Sequence, residues 1–156
     1  MIPPDILAAI VEHGRRDWPR EACGFVLGFQ GQLVHLPATN IQDQLHALNP
    51  TKFPRDSLSG FAVDPTTLLR VAVMAWAGWE PAVVYHSHPR DWWANFSRDD
   101  RLGALGGLAA PQFSDALYLV VSVRQSGEWM ARGYRWHRER GFEPSHENFD
   151  ITRQGF

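Results

Sequence analysis

Ala82-Val83-Val84-Tyr85-His86-Ser87-His88-Pro89 decides how the rest of this 156-residue chain is read. Four apolar residues in succession make a strand buried on both faces, as in the interior of a sheet. Pro89 ends it by withdrawing a backbone donor. Alternation along a strand points His86 and His88 to the same side, with imidazoles close enough to share one ion as neutral nitrogen ligands. A His-x-His pair is also a common arrangement of hydrogen-bonded or surface histidines, so the spacing alone leaves both readings open.

Downstream, Ser97-Arg98-Asp99-Asp100 sets a serine and a carboxylate one helical turn apart, where Ser97 opens a helix carried on through Leu102, Leu105 and Leu108. Two histidines and a carboxylate leave the fourth position of a tetrahedral zinc site for water, the arrangement used for hydrolysis. Ser-x-x-Asp by itself is equally a helix cap with an acidic residue near the positive end of the dipole. Upstream, Asp64 caps and Pro65 begins another helix, with Leu68, Leu69, Ala72, Val73 and Trp76 expected as its buried stripe.

The N-terminal region reads as an amphipathic helix over residues 4 to 17, carried by Ile6, Leu7, Ile10 and Val11 and closed at Trp18-Pro19. Residues 23 to 28 and 32 to 36 are short apolar strands split by Gln30-Gly31, a hairpin junction. Residues 116 to 123 and 129 to 136, around Ser126-Gly127, form a second hairpin. The polar, proline-punctuated stretch 49 to 60 reads as a surface loop. The expected order is helix, strand, strand, helix, strand, helix, strand, strand: one α/β domain over residues 1 to 156, with a core at about 4 to 136 and an irregular tail after His137.

Composition narrows the function. Fifteen Lys+Arg against 17 Asp+Glu give a net charge of −2, too little positive field to hold nucleic acid or an anionic membrane surface. The longest apolar run, Val71 to Trp79, is about half of the ~20 residues that span a bilayer. Met1-Ile2-Pro3-Pro4-Asp5 lacks the cationic start of a signal peptide, which places the protein in the cytoplasm. A single cysteine, Cys23, allows no internal disulfide and leaves histidine and carboxylate as the metal-ligand stock. His13, His35, His46, His137 and His146 have no ligand-like spacing, and none is assigned to a metal.

His86-Ser87-His88-Pro89 followed by Ser97-Arg98-Asp99-Asp100 resembles the JAMM (MPN+) metalloprotease motif. Pro19-Arg20-Glu21-Ala22-Cys23-Gly24-Phe25 is similar to that family's glutamate-bearing segment, and Phe61-Ala62-Val63-Asp64-Pro65 to the stretch before its second helix. Four matches in the right chain order are far more specific than any one of them. The resemblance implies a cytidine-deaminase-like mixed curved sheet with flanking helices. It implies one Zn2+ held by His86, His88 and Asp100, Glu21 as general base, and Ser97 as donor to the developing oxyanion. Without it, Glu21 reads as a solvated turn residue.

The family pattern has seven residues between the second histidine and the serine, whereas Pro89 to Phe96 makes eight. An extra loop residue that bulges outward preserves Ser97 and Asp100, and Asp99 is the alternative ligand if the register moves. Trp92 and Trp93 in that loop offer stacking surfaces to an extended peptide, one of them expected buried and one exposed. The resemblance implies an isopeptidase or peptidase acting after the C-terminal Gly-Gly of a ubiquitin-like or sulfur-carrier protein. The alternatives are a phage-tail or cell-wall peptidase acting on peptidoglycan stem peptides, or a metal-free MPN binding scaffold.

Overall fold

The structure is a computed structural model that describes residues 2–146. Its elements in chain order are α1 (Pro4–Asp17), β1 (Cys23–Phe29), β2 (Gln32–Ala38), α2 (Gln42–Leu48), α3 (Pro65–Trp76), β3 (Glu80–His88), α4 (Arg98–Leu105), β4 (Leu117–Val123), β5 (Trp129–His137) and β6 (Gly141–Pro144). The strands form one six-stranded mixed sheet, ordered β2-β1-β3-β4-β5-β6. All neighbours are antiparallel except β3 and β4, which run parallel. A parallel pair needs a crossover, and the loop after His88 together with α4 supplies it.

β3 alternates between the two faces of the sheet. Val83 and Tyr85 join Val26, Leu117, Leu119 and Val121 beneath α1, which contributes Ile10 and Val11. Each such side chain, fully buried, contributes about 1.5–3 kcal/mol relative to exposure. The opposite face carries two clusters: Phe25, Leu27 and Leu36 under α3, and Phe96, Tyr118, Val120, Met130, Tyr134 and Phe142 near α4. Under α1, the Tyr85 hydroxyl lies 2.7 Å from His13 Nδ1 and 2.8 Å from His35 Nε2. His13 Nε2 is 3.1 Å from Asp17 Oδ2 but out of line with it, so that nitrogen has a charge partner without a hydrogen bond. Gly24 permits this network, because a Cβ there would fall 2.6 Å from the Tyr85 oxygen and 2.7 Å from the Leu36 carbonyl.

The structure departs from the sequence expectation at four elements. Leu68, Leu69, Ala72, Val73 and Trp76 face outward, Trp76 being 94% exposed. α3 instead buries Thr67 and Val71 and turns Met74 toward the Phe25 cluster. Residues 71 to 77 are apolar almost without a break, so helical periodicity has no polar face to contrast with. α4 stops at Leu105 rather than near Leu108, because Gly106 adopts the left-handed conformation that ends helices. α2 stands where the sequence pattern indicates no element. β6 lies in the stretch expected to be irregular and pairs with β5 from Tyr134 to His137; the remainder of that tail, residues 147–156, lies outside the described residues. Among the described residues no helix is long and apolar enough to cross a membrane.

Candidate metal centre

His86 and His88 end β3 and project to the face opposite α1, with β1 and β4 pairing on either side of that strand. Their Nε2 atoms stand 3.0 Å apart. From α4, Asp100 places Oδ1 3.4 Å from His86 Nε2 and Oδ2 3.4 Å from His88 Nε2. One ligand atom from each residue lies within 4.8 Å of the others. Donors ~2.0–2.1 Å from a tetrahedral zinc are separated by about 3.3 Å, so the set fits such an ion with little movement. His88 Nδ1 is buried without a hydrogen bond, and Asp91 Oδ2 sits 3.7 Å away. The Phe61 ring stacks on His86 at 4.6 Å between centroids and restricts its rotation.

Asp100 is fixed by the start of its own helix. The Ser97 N–H donates to Asp100 Oδ2 at 2.7 Å, and Ser97 Oγ accepts from the Asp100 N–H at 3.1 Å, a complete capping box. The cap and the ligand set therefore use the same carboxylate. A serine hydroxyl that accepts in this way keeps its hydrogen for another acceptor. Asp99 points elsewhere: it is exposed, with Oδ2 3.5 Å from Arg55 Nη1.

The extra loop residue is absorbed by an inward turn rather than an outward bulge. Ala94 is wholly buried at φ 49°, with its N–H donating to Ser122 Oγ and its carbonyl accepting from the Tyr134 hydroxyl. Ser122 also donates to the Asp91 carbonyl. Trp93 is left exposed, while Trp92 is half-buried with the Arg124 guanidinium 4.0 Å above its ring.

Glu21 is buried, only 6% exposed, in the turn before β1. Its N–H donates to the Ser57 carbonyl and its own carbonyl accepts from Asn40 Nδ2, each at 2.8 Å. Ser87, between the two histidines, accepts from the Ala22 N–H through Oγ and donates its own N–H to the Ala22 carbonyl. Those two bonds lay the glutamate segment alongside the end of β3. Glu21, His88, Ser97 and Asp100 consequently line one cavity of about 330 Å³.

Charge follows from this packing. Burial pushes the Glu21 carboxyl up to about 7, with Asp100 adding to the rise while His88 and Arg55 oppose it. Burial also acts to raise Asp100, but hydrogen bonding from His86, His88 and Ser97 holds it well below the usual carboxylate range. His86 is lowered, chiefly by burial. Burial has the same tendency at His88, where Asp100, Glu21 and Asp91 outweigh it and raise the ring. The Cys23 thiol is pushed up to about 12 by burial, so it packs as a small apolar group rather than a nucleophile.

Several residues that shape the centre carry no spacing signal in the sequence. Ser87 is the unspecified middle of His-x-His, and Arg55, Asn40 and Asp91 come from loops. Phe61 stands in a matched segment, but nothing in that segment indicates that its ring covers His86.

Comparison with known proteins agrees with this architecture. Residues 3–137 match the model of the prokaryotic homologs of the JAB domain. The CysO-cysteine peptidases of Mycobacterium tuberculosis and Mycobacterium bovis are 33% identical over 138 residues, covering 86% of this chain and 81% of theirs. A solution structure from Desulfitobacterium hafniense superposes with a TM-score of 0.61 at 20% identity, over 91% of this chain and 86% of that one. Another from Salinibacter ruber gives 0.57 at 26%, over 92% and 86%. A match running from before α1 to the end of β5 makes this chain a member of the prokaryotic JAB-domain family.

Proposed function

We propose that the protein is a JAMM-type zinc peptidase that hydrolyses an amide or isopeptide bond after the C-terminal Gly-Gly of a ubiquitin-like or sulfur-carrier protein. The observation that carries the reading is the convergence of His86, His88 and Asp100 within 4.8 Å beside a buried glutamate in the same cavity. The relatives named CysO-cysteine peptidase support a sulfur-carrier substrate. Zinc held by the three residues supplies Lewis acidity, polarising a carbonyl and acidifying water.

The chain's own residues do the rest. Glu21, desolvated and displaced toward neutrality, takes a proton from water and returns it to the leaving amine. The Ser97 hydroxyl, steadied by the Asp100 N–H, donates to the carbonyl oxygen as charge develops there. Ser87 keeps Glu21 in reach through Ala22. Incubation with small-modifier fusions, with and without a chelator, followed by mass spectrometry, tests the proposal. Chelator-sensitive cleavage after a terminal glycine is expected, and intact fusions at stoichiometric zinc would overturn it.

A further inference from the structure

A second cavity, of about 230 Å³, adjoins the first on the far side of the ligand set. One side of it is apolar, with Phe25, Phe61, Val84, Phe96, Phe113 and Tyr118 around His86. Three residues line both cavities: Asp99, Asp100 and Arg55. Arg55 is thus the one cation common to the two, Arg90 lining the first cavity alone, beside the carboxylates Glu21, Asp91, Asp99 and Asp100.

The surroundings of Arg55 suit a binding role. Its carbonyl accepts from Gln42 Nε2 at 2.8 Å and its Nη1 donates to the Ser59 carbonyl at 3.1 Å, which set the side chain's direction and leave other N–H groups of the fork open. Its acidic partner Asp99 is 3.5 Å away, with the Asp99 side chain exposed and that of Arg55 partly so. Such a pair exchanges readily for another carboxylate, and a guanidinium holds a carboxylate by two parallel hydrogen bonds.

We propose that Arg55 is the specificity-determining residue of this site: it anchors the free α-carboxylate of the residue that leaves, whose side chain enters the apolar cavity, and so selects a chain that ends one residue beyond the scissile bond. This rests on the peptidase reading above. In the step, the C–N bond after glycine breaks; water supplies oxygen to the glycine carbonyl and a proton to the departing nitrogen, giving a new C-terminal glycine carboxylate and one free amino acid. A cavity of this size takes one apolar side chain, and a chain continuing beyond the carboxyl carbon would place a neutral amide on Arg55.

The test uses the zinc-loaded protein and two peptides ending in Gly-Gly-Leu, one a free acid and one a C-terminal amide. The acid should be cleaved at least about 100-fold more efficiently in kcat/KM, mostly through KM, the effect of losing a charge-assisted contact. In Arg55→Gln that ratio should collapse toward one, and Arg55→Lys should restore part of it. Equal cleavage of acid and amide by the unaltered protein, or a preference that survives in Arg55→Gln, overturns the proposal. If neither peptide is cleaved, the peptidase reading fails on its own. Calorimetric binding of the two peptides to the Glu21→Gln protein then decides: acid selectivity lost with Arg55→Gln supports the anchor, and equal binding of the two overturns it.

Discussion

Removing the Asp100 carboxylate takes away a partner of both His86 and His88 and half of the α4 capping box. Asp100→Ala should therefore lose stoichiometric zinc, whereas Asp99→Ala, which breaks only an exposed pair with Arg55, should keep it. Metal analysis of the purified variants checks this, and the reverse pattern would move the ligand register by one residue. Asp100→Asn separates cap from ligand, because the amide oxygen still accepts from Ser97 N–H while the charge is gone: folding should persist and zinc should be lost. At Glu21, substitution by Gln preserves shape but not basicity. Zinc content and melting temperature should stay near wild type while turnover falls by ~10⁴-fold, the upper end for acid–base groups, since one residue serves both proton transfers. A Glu21→Gln enzyme within tenfold of wild type would assign water activation to another group.

The loop between β3 and α4 depends on one buried hydroxyl. Ser122 on β4 accepts from the Ala94 N–H and donates to the Asp91 carbonyl, so Ser122→Ala strands a buried donor and should cost about 1–3 kcal/mol in chemical denaturation. An unchanged denaturation midpoint would show that the loop holds without it. How legible each element was depended on how much contrast its residues offered. α1 and α4 announce themselves by caps, prolines and spaced apolar residues, and β3 by an apolar run into His-x-His. α3 has apolar residues on nearly every side, so sequence could place it but not orient it. β6 draws its pairing from β5 rather than from its own four residues. At the candidate centre, the types and chain order of the residues that converge are readable; the hydrogen bonds of Ser87 and the position of Arg55 depend on tertiary neighbours, which spacing does not encode.

For the molecule as a whole, the His13–Tyr85–His35 network couples stability to pH. His35 is lowered to about 4, mainly by burial, with His13 and Arg16 adding to the effect, and His13 is also lowered by burial against the pull of Asp17. The ordinary imidazole value of 6.5 applies once the chain unfolds. Between pH 6.5 and about 4 the unfolded chain binds protons that the folded chain refuses, so this contribution is complete above 6.5 and fades as pH falls through that window. The melting temperature of metal-free protein should drop across this range, and His35→Gln should flatten the drop; parallel curves for the two proteins would refute the assignment.

The single parallel pairing in the sheet has a consequence during synthesis. β1 and β2 form a hairpin as soon as they emerge, and β3 can then dock on β1. Its other edge waits until the crossover loop, α4 and β4 have followed, because Leu117 to Ser122 supply its remaining backbone partners. During that interval the nascent chain presents an open edge flanked by Val83, Val84 and Tyr85, the kind of surface that recruits chaperones or neighbouring chains. Ribosome-bound chains halted before Leu117 should accordingly be the aggregation-prone ones.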